Sequence, residues 1–429
     1  MNDRAFPPPV IGLLLTGGGA RAAYQAGVLQ GIAQIARASG ATCGQGGPSP
    51  FQVLAGTSAG AINAAGLACG ADRFDHAVAM LADVWGQFHA EQVYRADSLA
   101  VIRTGAPWLT MMSFGWAVAR FRRLRPRSLL DNSPLEALLH RLMRFDRLPQ
   151  LMRDGRLQAL AVTASSYTSG QHVTFYESLH ELPPWTRSQR VAVRTAIGVR
   201  HLLASAAIPF VFPSMPLEMP EGREWFGDGS MRQAAPISPA IHLGADRVLV
   251  VGAGRMHEPG GRHVQAQGYP SVAEIAGHAL SNIFLDALAV DVERLQRINT
   301  TLALLPPEAR ARTPLRPVEA LVIAPSQRLD DLAAAHIDSL PLTIRTLLRS
   351  VGVTGHGASG GSALASYLLF EPGYTRALIA LGLADTLARR DEVQRFFGWP
   401  EPARLNPPQL TAMPSSPASL PCPAAPPPR

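Results

Sequence analysis

Apolar residues follow two different patterns along the chain. Largely apolar runs of five to eight residues recur at positions 10–15, 51–55, 157–164 and 247–252, and such runs are typical of strands buried on both faces of a sheet. Longer segments between them, such as residues 272–305, repeat apolar residues at helical spacing. Because the predicted strands alternate with helices, we expect an α/β layered fold with a mainly parallel central sheet.

Three further segments have weaker patterns. Residues 171–176 alternate as in a strand of a hairpin, and residues 319–324 predict a last strand. Residues 189–207 have the pattern of a helix, which we expect to end at the apolar turn formed by residues 208–213. Two helical stretches follow the last strand, and the glycine-rich residues 352–361 separate them.

The run at residues 51–55 leads into Gly56-Thr57-Ser58-Ala59-Gly60, which matches G-x-S-x-G, and a helix of small residues follows. A strand–turn–helix connection is the setting in which this motif exposes a nucleophilic hydroxyl. Gly56 and Gly60 let the flanking elements pass close to the turn. The helix N-terminus directs N–H groups and partial positive charge towards the same place. We therefore predict that Ser58 attacks a carbonyl.

A second G-x-S-x-G surrounds Ser359. No strand pattern precedes it, and its neighbours are polar and glycine-rich. Because the motif needs a strand before the turn to present the hydroxyl, we interpret Ser359 as a chance match.

A glycine run, residues 17–19, connects the first predicted strand to a helix. Together with Ala22 it fits a relaxed dinucleotide-binding fingerprint, which requires an acidic residue about 20 positions further on to bind the ribose. No Asp or Glu occurs between Asp3 and Asp72, so we reject that interpretation.

Two interpretations of the glycine run remain. One is a tight turn that uses glycines for steric reasons alone. The other is an oxyanion hole, in which the N–H groups of Gly18 and Gly19 stabilise a tetrahedral intermediate at Ser58. Arg21 would then hold the loop or bind a nearby phosphate. The position of the run, at a strand–helix junction just before the Ser58 turn, favours the oxyanion hole.

A serine hydroxyl needs a neighbouring base to become a good nucleophile. Asp228 follows an aromatic strand and has glycines on both sides. Trp225 and Phe226 could shield the carboxylate from water, and desolvation would raise its pKa and make it a better base. Taken alone, Asp228-Gly229 is more simply an ordinary turn. Because Ser58 needs a base, however, we predict that Asp228 is its partner in a Ser–Asp dyad.

The alternative base is a histidine. His257 follows the strand at residues 247–252, and the chain order Ser, Asp, His is that of the α/β-hydrolases. The Ser58 strand is only the second in the chain, and His257 lies in a polar, glycine-rich stretch. Both observations argue against a histidine triad.

Charge changes the expected partners. All 39 basic residues are Arg, and the net charge of the 429 residues is +7. The sequence has no zinc-ligand spacing and no basic heptad region, so we exclude a nucleic-acid partner and favour an anionic membrane surface. Residues 99–130 contain Trp108 and Trp116 beside Arg122 and Arg123. This segment is either interfacial, with phosphate-binding cations, or a core helix with a solvated basic end.

The cysteines and the apolar runs indicate a cellular location. Cys43, Cys69 and Cys422 have neither metal-ligand nor disulfide spacing, which is typical of a reducing compartment. The apolar run at residues 10–15 leads into the glycine loop and does not resemble a signal peptide. No uncharged apolar run reaches the roughly 18 residues of a membrane span. We expect a cytoplasmic protein, peripheral on the inner face of the membrane.

Together, these motifs resemble the patatin-like phospholipase family. The matching blocks occur in order between residues 10 and 255: the loop 17–21, the turn 56–60, the run 202–213 and Asp228-Gly229. The resemblance implies that Ser58 is the nucleophile, that Asp228 is its base and that Gly17, Gly18 and Gly19 form the oxyanion hole. One departure is Ser230, which stands where the family usually has Gly or Ala.

The resemblance also implies a fold, an activity and a domain plan. We expect a three-layer patatin-like fold over residues 8–400, with a motif core at 10–255, a candidate interfacial or lid segment at 99–130 and a helical C-terminal extension at 270–398. Residues 401–429 are rich in Pro, Ala and Ser and predict a disordered tail. The implied reaction is hydrolysis of phospholipid or lysophospholipid esters without a metal or cofactor. A catalytically silent lipid- or protein-binding module and an acyltransferase are the alternatives.

Overall fold

The computed structural model describes residues 8–95, 128–182, 185–231, 233–255, 272–350, 353 and 361–400. Among these residues, ten strands form one sheet. The strands are β1 Ile11–Leu15, β2 Val53–Thr57, β3 Ala159–Ser166, β4 His172–Ser178, β5 Thr186–Arg187, β6 Arg190–Arg194, β7 Met215–Met219, β8 Gly222–Asp228, β9 Arg247–Val251 and β10 Glu319–Ile323.

Helices cover the sheet and continue to the end of the described chain. They are α1 Ala23–Ala38, α2 Ala59–Cys69, α3 Phe74–Gly86, α4 Ser133–Leu142, α5 Leu148–Arg153, α6 Val199–Ser205, α7 Ser238–His242, α8 Val272–Leu304, α9 Pro307–Ala311, α10 Leu329–Ala334, α11 Leu342–Ser350, α12 Gly361–Leu368, α13 Pro372–Ala388 and α14 Arg390–Phe397.

The strand order is β10-β9-β1-β2-β3-β4-β6-β5, and the first five of these strands are mutually parallel. β4 runs antiparallel to β3, and β8 pairs antiparallel with the carboxyl end of β3. In an open parallel sheet, sites form beyond the carboxyl ends of the strands. This topology therefore brings the residues after β1, the residues after β2 and the end of β8 to one edge.

Alternate residues of the central strands enter two separate cores. Leu13 and Leu15 of β1 pack in a core with α1 and α2, whereas Leu14 packs in a second core with Leu243 and with Leu288 of α8. Successive side chains of a strand point to opposite faces, so the sheet is buried on both sides. The predicted α/β layered fold with a mainly parallel sheet is confirmed.

The helix predicted over residues 189–207 is wrong in its first half. Residues Arg190–Arg194 form β6, which pairs in parallel with β4, and the helix begins only at Val199. The sequence Arg-Val-Ala-Val-Arg alternates with a period of two, and pairing with a buried strand outweighs its helical propensity. Gly198 then supplies the extended residue before α6.

The C-terminal helices share the main core with the rest of the chain. β10 extends the sheet at one edge, and α13 packs along α1. The helices are close at small residues: an added Cβ at Gly27 would lie 2.0 Å from the Ile379 carbonyl oxygen, and one at Gly382 would lie 2.2 Å from that of Tyr24. The predicted helical C-terminal region is confirmed and is continuous with the core.

Several predictions fall on residues outside the described ranges. They concern Trp108, Trp116, Arg122 and Arg123 of the candidate interfacial segment, the tail at residues 401–429, Ser359 and His257. Within the described ranges, no helix has both the length and the apolar character needed to cross a membrane.

Candidate active site

Ser58 lies on the predicted connection between β2 and α2. It is the residue that precedes α2, with φ 55° and ψ −131°. A residue with a side chain adopts such a positive φ only under strain, which is frequent at functional turns. The first turn of α2 is also packed tightly, because an added Cβ at Gly60 would lie 2.3 Å from the Leu15 carbonyl oxygen. The helix therefore starts against the end of β1, beside the glycine loop.

A serine that the sequence motifs did not identify holds the backbone of Ser58. The Ser58 N–H donates to Ser205 Oγ at 2.8 Å, and Ser205 Oγ donates to the Thr163 carbonyl oxygen at 2.6 Å. Ser205 is the last residue of α6 and is fully buried. Its hydroxyl thus connects the strained turn to β3. Only its place in the run 202–213 marked it in the sequence, because a serine among alanines has no chemical signature of its own.

The segment after α6 also holds Asp228. The Asp228 N–H donates to the Ala207 carbonyl oxygen at 2.9 Å, and the Gly229 N–H donates to the Ser205 carbonyl oxygen at 3.2 Å. Asp228 is the last residue of β8, opposite Ala164 of β3. Ser205 therefore contacts both the Ser58 turn and the Asp228 turn, and residues 205–207 fix the two turns relative to each other.

The Asp228 carboxyl group is completely shielded from solvent, with 0% exposure. Burial raises the pKa of Asp228 to about 6, while the Ser58 hydroxyl and the Ser230 N–H, which donates to Oδ1 at 2.8 Å, act in the opposite direction. Within the described residues, Oδ2 has no hydrogen bond of full geometry. An unpartnered carboxylate oxygen can accept a proton, and catalytic hydrogen bonds are often long before a substrate binds.

The aromatic residues before Asp228 contribute unequally to its burial. Phe226 is fully buried and packs edge-on against Phe175. Trp225, which the sequence also suggested as a shield, is 50% exposed, because alternate residues of β8 face opposite sides. The expectation for Trp225 was wrong.

The glycine loop faces the same space as Ser58. Gly19 has φ +55°, and an added Cβ there would lie 2.3 Å from the Tyr367 carbonyl oxygen. An added Cβ at Gly18 would lie 2.6 Å from Ala253 Cβ. Gly17 is buried beside them, and Gly19 lines one cavity together with Ser58. Glycine is required at this loop for conformation and for close packing, as the tight-turn interpretation anticipated.

Buried amides fix both ends of this loop. Gln25 Nε2 donates to the Thr16 carbonyl oxygen at 2.8 Å, before the glycines, and Asn63 Nδ2 donates to that of Ala22 at 3.1 Å, after them. Asn63 also donates to Gln25 Oε1 at 2.8 Å and accepts from Trp85 Nε1 at 2.8 Å. A satisfied buried network of this kind makes one backbone conformation rigid. Sequence reasoning missed it, since it joins three helices.

Arg21 contacts the C-terminal helices. Its guanidinium group is 3% exposed, pairs with Asp330 and donates to Ser366 Oγ at 2.8 Å. It also lies 4.0 Å from the centre of the Tyr367 ring. Of the two roles that the sequence left open, these contacts favour support of the loop over binding of a phosphate.

An apolar cavity extends from Ser58 between α2, α3 and α4. It contains about 890 Å³ of empty space, counting its open mouth. Apolar side chains form most of its lining: Ile62, Ala77, Met80, Leu81, Val84, Trp85, Phe88, Val93, Leu135, Leu138, Leu139, Leu142, Met143, Ile208, Phe212 and Phe370. The lining is suited to a hydrocarbon chain attached at Ser58.

Histidines and metal ligands do not contribute to this space in the part of the chain that the structure describes. No histidine lines the cavity there, and no group of three or more His, Cys, Asp or Glu residues has the arrangement of a metal site. The buried His172 donates from Nε2 to the Gly229 carbonyl oxygen at 2.9 Å, and burial lowers its pKa to about 4. His172 is therefore neutral and supports the turn after Asp228.

Comparison with protein families identifies the chain. The family model described as "Patatin-like phospholipase" matches residues 13–241, more than half of the 429 residues. The chain belongs to the patatin-like phospholipase family. Membership supports lipid acyl hydrolase activity at the level of the family, and the resemblance stated from the motifs is confirmed.

Other comparisons add little. The comparison with curated proteins found no match. Among solved structures, the chain is similar to "VipD from Legionella pneumophila", with 13% identity and a TM-score of 0.33, over 90% of this chain and 67% of that chain.

Proposed function

We propose that this patatin-like protein is a serine acyl-ester hydrolase that acts on phospholipids or lysophospholipids through a Ser58–Asp228 dyad. The observation that carries the proposal is the fully buried Asp228, held to the Ser58 turn by residues 205–207 at one end of an apolar cavity. A base with a pKa near 6 is mostly ionised at neutral pH and still accepts a proton readily. The apolar lining matches the fatty acyl group of such a substrate.

In the first half of the reaction, Ser58 Oγ attacks the ester carbonyl carbon while the Asp228 carboxylate takes the hydroxyl proton. The N–H groups of the loop Gly17, Gly18 and Gly19 stabilise the oxyanion, a contribution of about 3 kcal/mol for each well-placed donor. The intermediate collapses, the bond to the alcohol oxygen breaks, and that oxygen takes the proton from Asp228. The products are the free alcohol and an acyl ester on Ser58.

In the second half, water replaces the alcohol. The water oxygen attacks the carbonyl carbon of acyl-Ser58 while Asp228 takes a proton from the water. Collapse of the second intermediate breaks the bond to Ser58 Oγ, and Asp228 returns the proton to that oxygen. The fatty acid leaves, and the dyad regains its initial protonation. None of these steps requires a histidine or a metal ion.

Hydrolysis of p-nitrophenyl esters and phospholipids by four variants tests the dyad. We expect Ser58→Ala and Asp228→Asn to lower kcat by about a thousandfold or more, and His257→Asn to leave it unchanged. Asp291→Asn is the matched control, since Asp291 is another buried aspartate whose pKa burial raises. Equal losses in Asp228→Asn and His257→Asn, with both proteins folded, would instead establish a histidine triad.

Two further measurements separate the remaining functions. A fluorophosphonate probe should label Ser58 in the wild type, whereas an unlabelled serine with no ester hydrolysis would indicate a binding module. Product analysis with added alcohols or lysophospholipids should yield mainly free fatty acid. Mainly transferred acyl ester would make the protein an acyltransferase.

Attachment to an anionic membrane is a separate proposal, based on Trp108, Trp116 and the neighbouring arginines in the sequence. It places the protein in the cytoplasm, on the inner face of the membrane. We expect flotation with anionic liposomes to decrease at high salt and in the double variant Arg122→Glu/Arg123→Glu. Unchanged flotation of that variant would exclude this patch.

A further inference from the structure

Gly66 is unusual among the glycines around α2, because packing does not require it. An added Cβ at Gly56, Gly60 or Gly70 would lie 2.3–2.7 Å from another atom, too close to be tolerated. At Gly66 the nearest atoms are Leu81 Cδ1 at 3.9 Å and Met143 Cε at 4.0 Å, which are ordinary contact distances. A glycine inside a helix destabilises it relative to alanine. Another property of this position must therefore favour the absence of a side chain.

The missing side chain would point into the cavity. Ser58, Ile62 and Gly66 all line it, and their spacing of four residues puts them on one face of α2. At the distant end of that face, Gly66 lies across from Leu81 of α3 and Met143, the residue after α4. Gly66 thus leaves room for about one additional carbon atom between α2, Leu81 and Met143, in the cavity that Ser58 also lines.

The distance along α2 fixes the length of chain that reaches this gap. Gly66 is eight positions after Ser58, which corresponds to about 12 Å along the helix at 1.5 Å per residue. An extended hydrocarbon advances roughly 1.3 Å per carbon, because each C–C bond of about 1.5 Å is inclined to its axis. An acyl group on Ser58 would therefore reach Gly66 at about its ninth carbon.

We propose that Gly66 determines the acyl-chain specificity of this site. It admits medium-length and longer acyl groups by leaving open the passage between Leu81 and Met143. The inference rests on the proposed function, since the occupant of the cavity is the acyl group that Ser58 carries. Because Ser58 lines the same cavity as Gly66, an acyl group attached to Ser58 would occupy that cavity.

The test compares kcat/KM for p-nitrophenyl butyrate, octanoate, decanoate and laurate in the full-length wild type and in Gly66→Leu. Burial of one methylene strengthens binding roughly fourfold. If leucine excludes the last two or three carbons, kcat/KM for decanoate and laurate should fall by roughly tenfold or more. The kcat/KM for butyrate should change less than about twofold, because a short acyl chain ends before Gly66. An unchanged butyrate value also shows that the variant is folded.

The matched control is Gly86→Leu. Gly86 is also a helical glycine, its nearest neighbour is Arg376 Cγ at 3.9 Å, and it does not line the cavity. Its chain-length profile should match that of the wild type. Gly66→Ala should lie between the wild type and Gly66→Leu for laurate.

The outcomes distinguish the two proposals. If the wild type hydrolyses these esters in a Ser58-dependent way, but Gly66→Leu leaves the profile unchanged or lowers all four rates equally, the inference on Gly66 is overturned and the proposed function stands. If no Ser58-dependent hydrolysis occurs with any ester, both are overturned. A selective loss for the long chains in Gly66→Leu alone supports both.

Discussion

At the end of β8, the Asp228 carboxyl group has no contact with solvent. Its pKa is about 6 in the folded protein against an ordinary value of 3.8, so the folded state binds the proton more tightly than the unfolded state. Stability therefore increases as the pH falls through 6 towards 4, and above that window the ionised carboxylate destabilises the fold. A shift of this size corresponds to about 3 kcal/mol.

Asp228→Asn should consequently be more stable than the wild type at pH 8, by about 2–3 kcal/mol. An amide has no charge to desolvate, and Oδ1 can still accept from the Ser230 N–H. The advantage should shrink to less than about 1 kcal/mol near pH 4, where the folded-state carboxyl group is protonated and the unfolded-state group, with its ordinary pKa of 3.8, is partly protonated. Urea unfolding at the two pH values measures the difference. An equal difference in stability at both pH values would show that the charge of Asp228 is not the cause of the difference.

The same pKa predicts the pH dependence of the reaction. In the proposed dyad Asp228 must be ionised to act as the base, so kcat/KM should be half-maximal near pH 6 and fall about tenfold per pH unit below it. His257→Asn should have the same profile. A half-maximal pH that moves in that variant would contradict the dyad.

Ser205→Ala tests the connection between the two turns. The Ser58 N–H and the Thr163 carbonyl oxygen would both lose a buried partner, which should cost about 1–3 kcal/mol of stability. The Ser58 turn would also relax, so kcat should fall more than KM changes. Ser178→Ala is the control, because its hydroxyl donates to a backbone oxygen, that of His180, at 2.7 Å. A fall in stability with kcat intact would limit Ser205 to a structural role.

At the scale of elements, the sequence predicted the strands and helices that the spacing of apolar residues determines. β1, β2, β3 and β9 are buried on both faces, and their apolar runs indicated this. The prediction of a helix at Arg190–Arg194 was wrong because their period-two alternation is only five residues long, and pairing with β4, outside this segment, decides the outcome. The G-x-S-x-G motif located the Ser58 turn because Gly56 and Gly60, the glycines that this close-packed turn requires, each lie two positions from Ser58.

The packing of α1 on α13 gives a prediction at this scale. Alanine at Gly27 would place its Cβ 2.0 Å from the Ile379 carbonyl oxygen and force the helices apart. We expect Gly27→Ala to destabilise the protein by about 1–3 kcal/mol, despite the better helix propensity of alanine. Gly66→Ala, at a helical glycine without a close neighbour, should instead stabilise by about 0.5–1 kcal/mol. Thermal unfolding of both variants provides the comparison, and changes of the same sign would contradict it.

At the scale of the molecule, the candidate site depends on residues far outside the family match. Asp330, Ser366 and Tyr367 surround the Arg21 guanidinium group, and Phe370 lines the cavity. No motif could have predicted these partners. They are more than 300 positions away from Arg21 in the sequence, and an aspartate or tyrosine on a helix has many alternative roles.

Asp330→Asn measures how far the fold relies on that contact. Removal of one partner leaves the buried Arg21 charge uncompensated, which should cost about 3–5 kcal/mol. The neighbouring Asp331 is exposed, so Asp331→Asn should change stability by less than about 0.5 kcal/mol. Chemical unfolding of the two variants tests this, and similar small effects would mean that the pair contributes little.

The close approach of the Tyr367 carbonyl group to the glycine loop has a consequence for biosynthesis. A ribosome adds about 5–20 residues per second, so Tyr367 is added roughly 7–28 s after Asp228. During that interval the nascent chain contains Ser58 and Asp228, but its loop lacks the C-terminal helices against which it packs. We expect a lipid-degrading enzyme built this way to be inactive on the ribosome until these C-terminal helices have been synthesised and have packed against the loop.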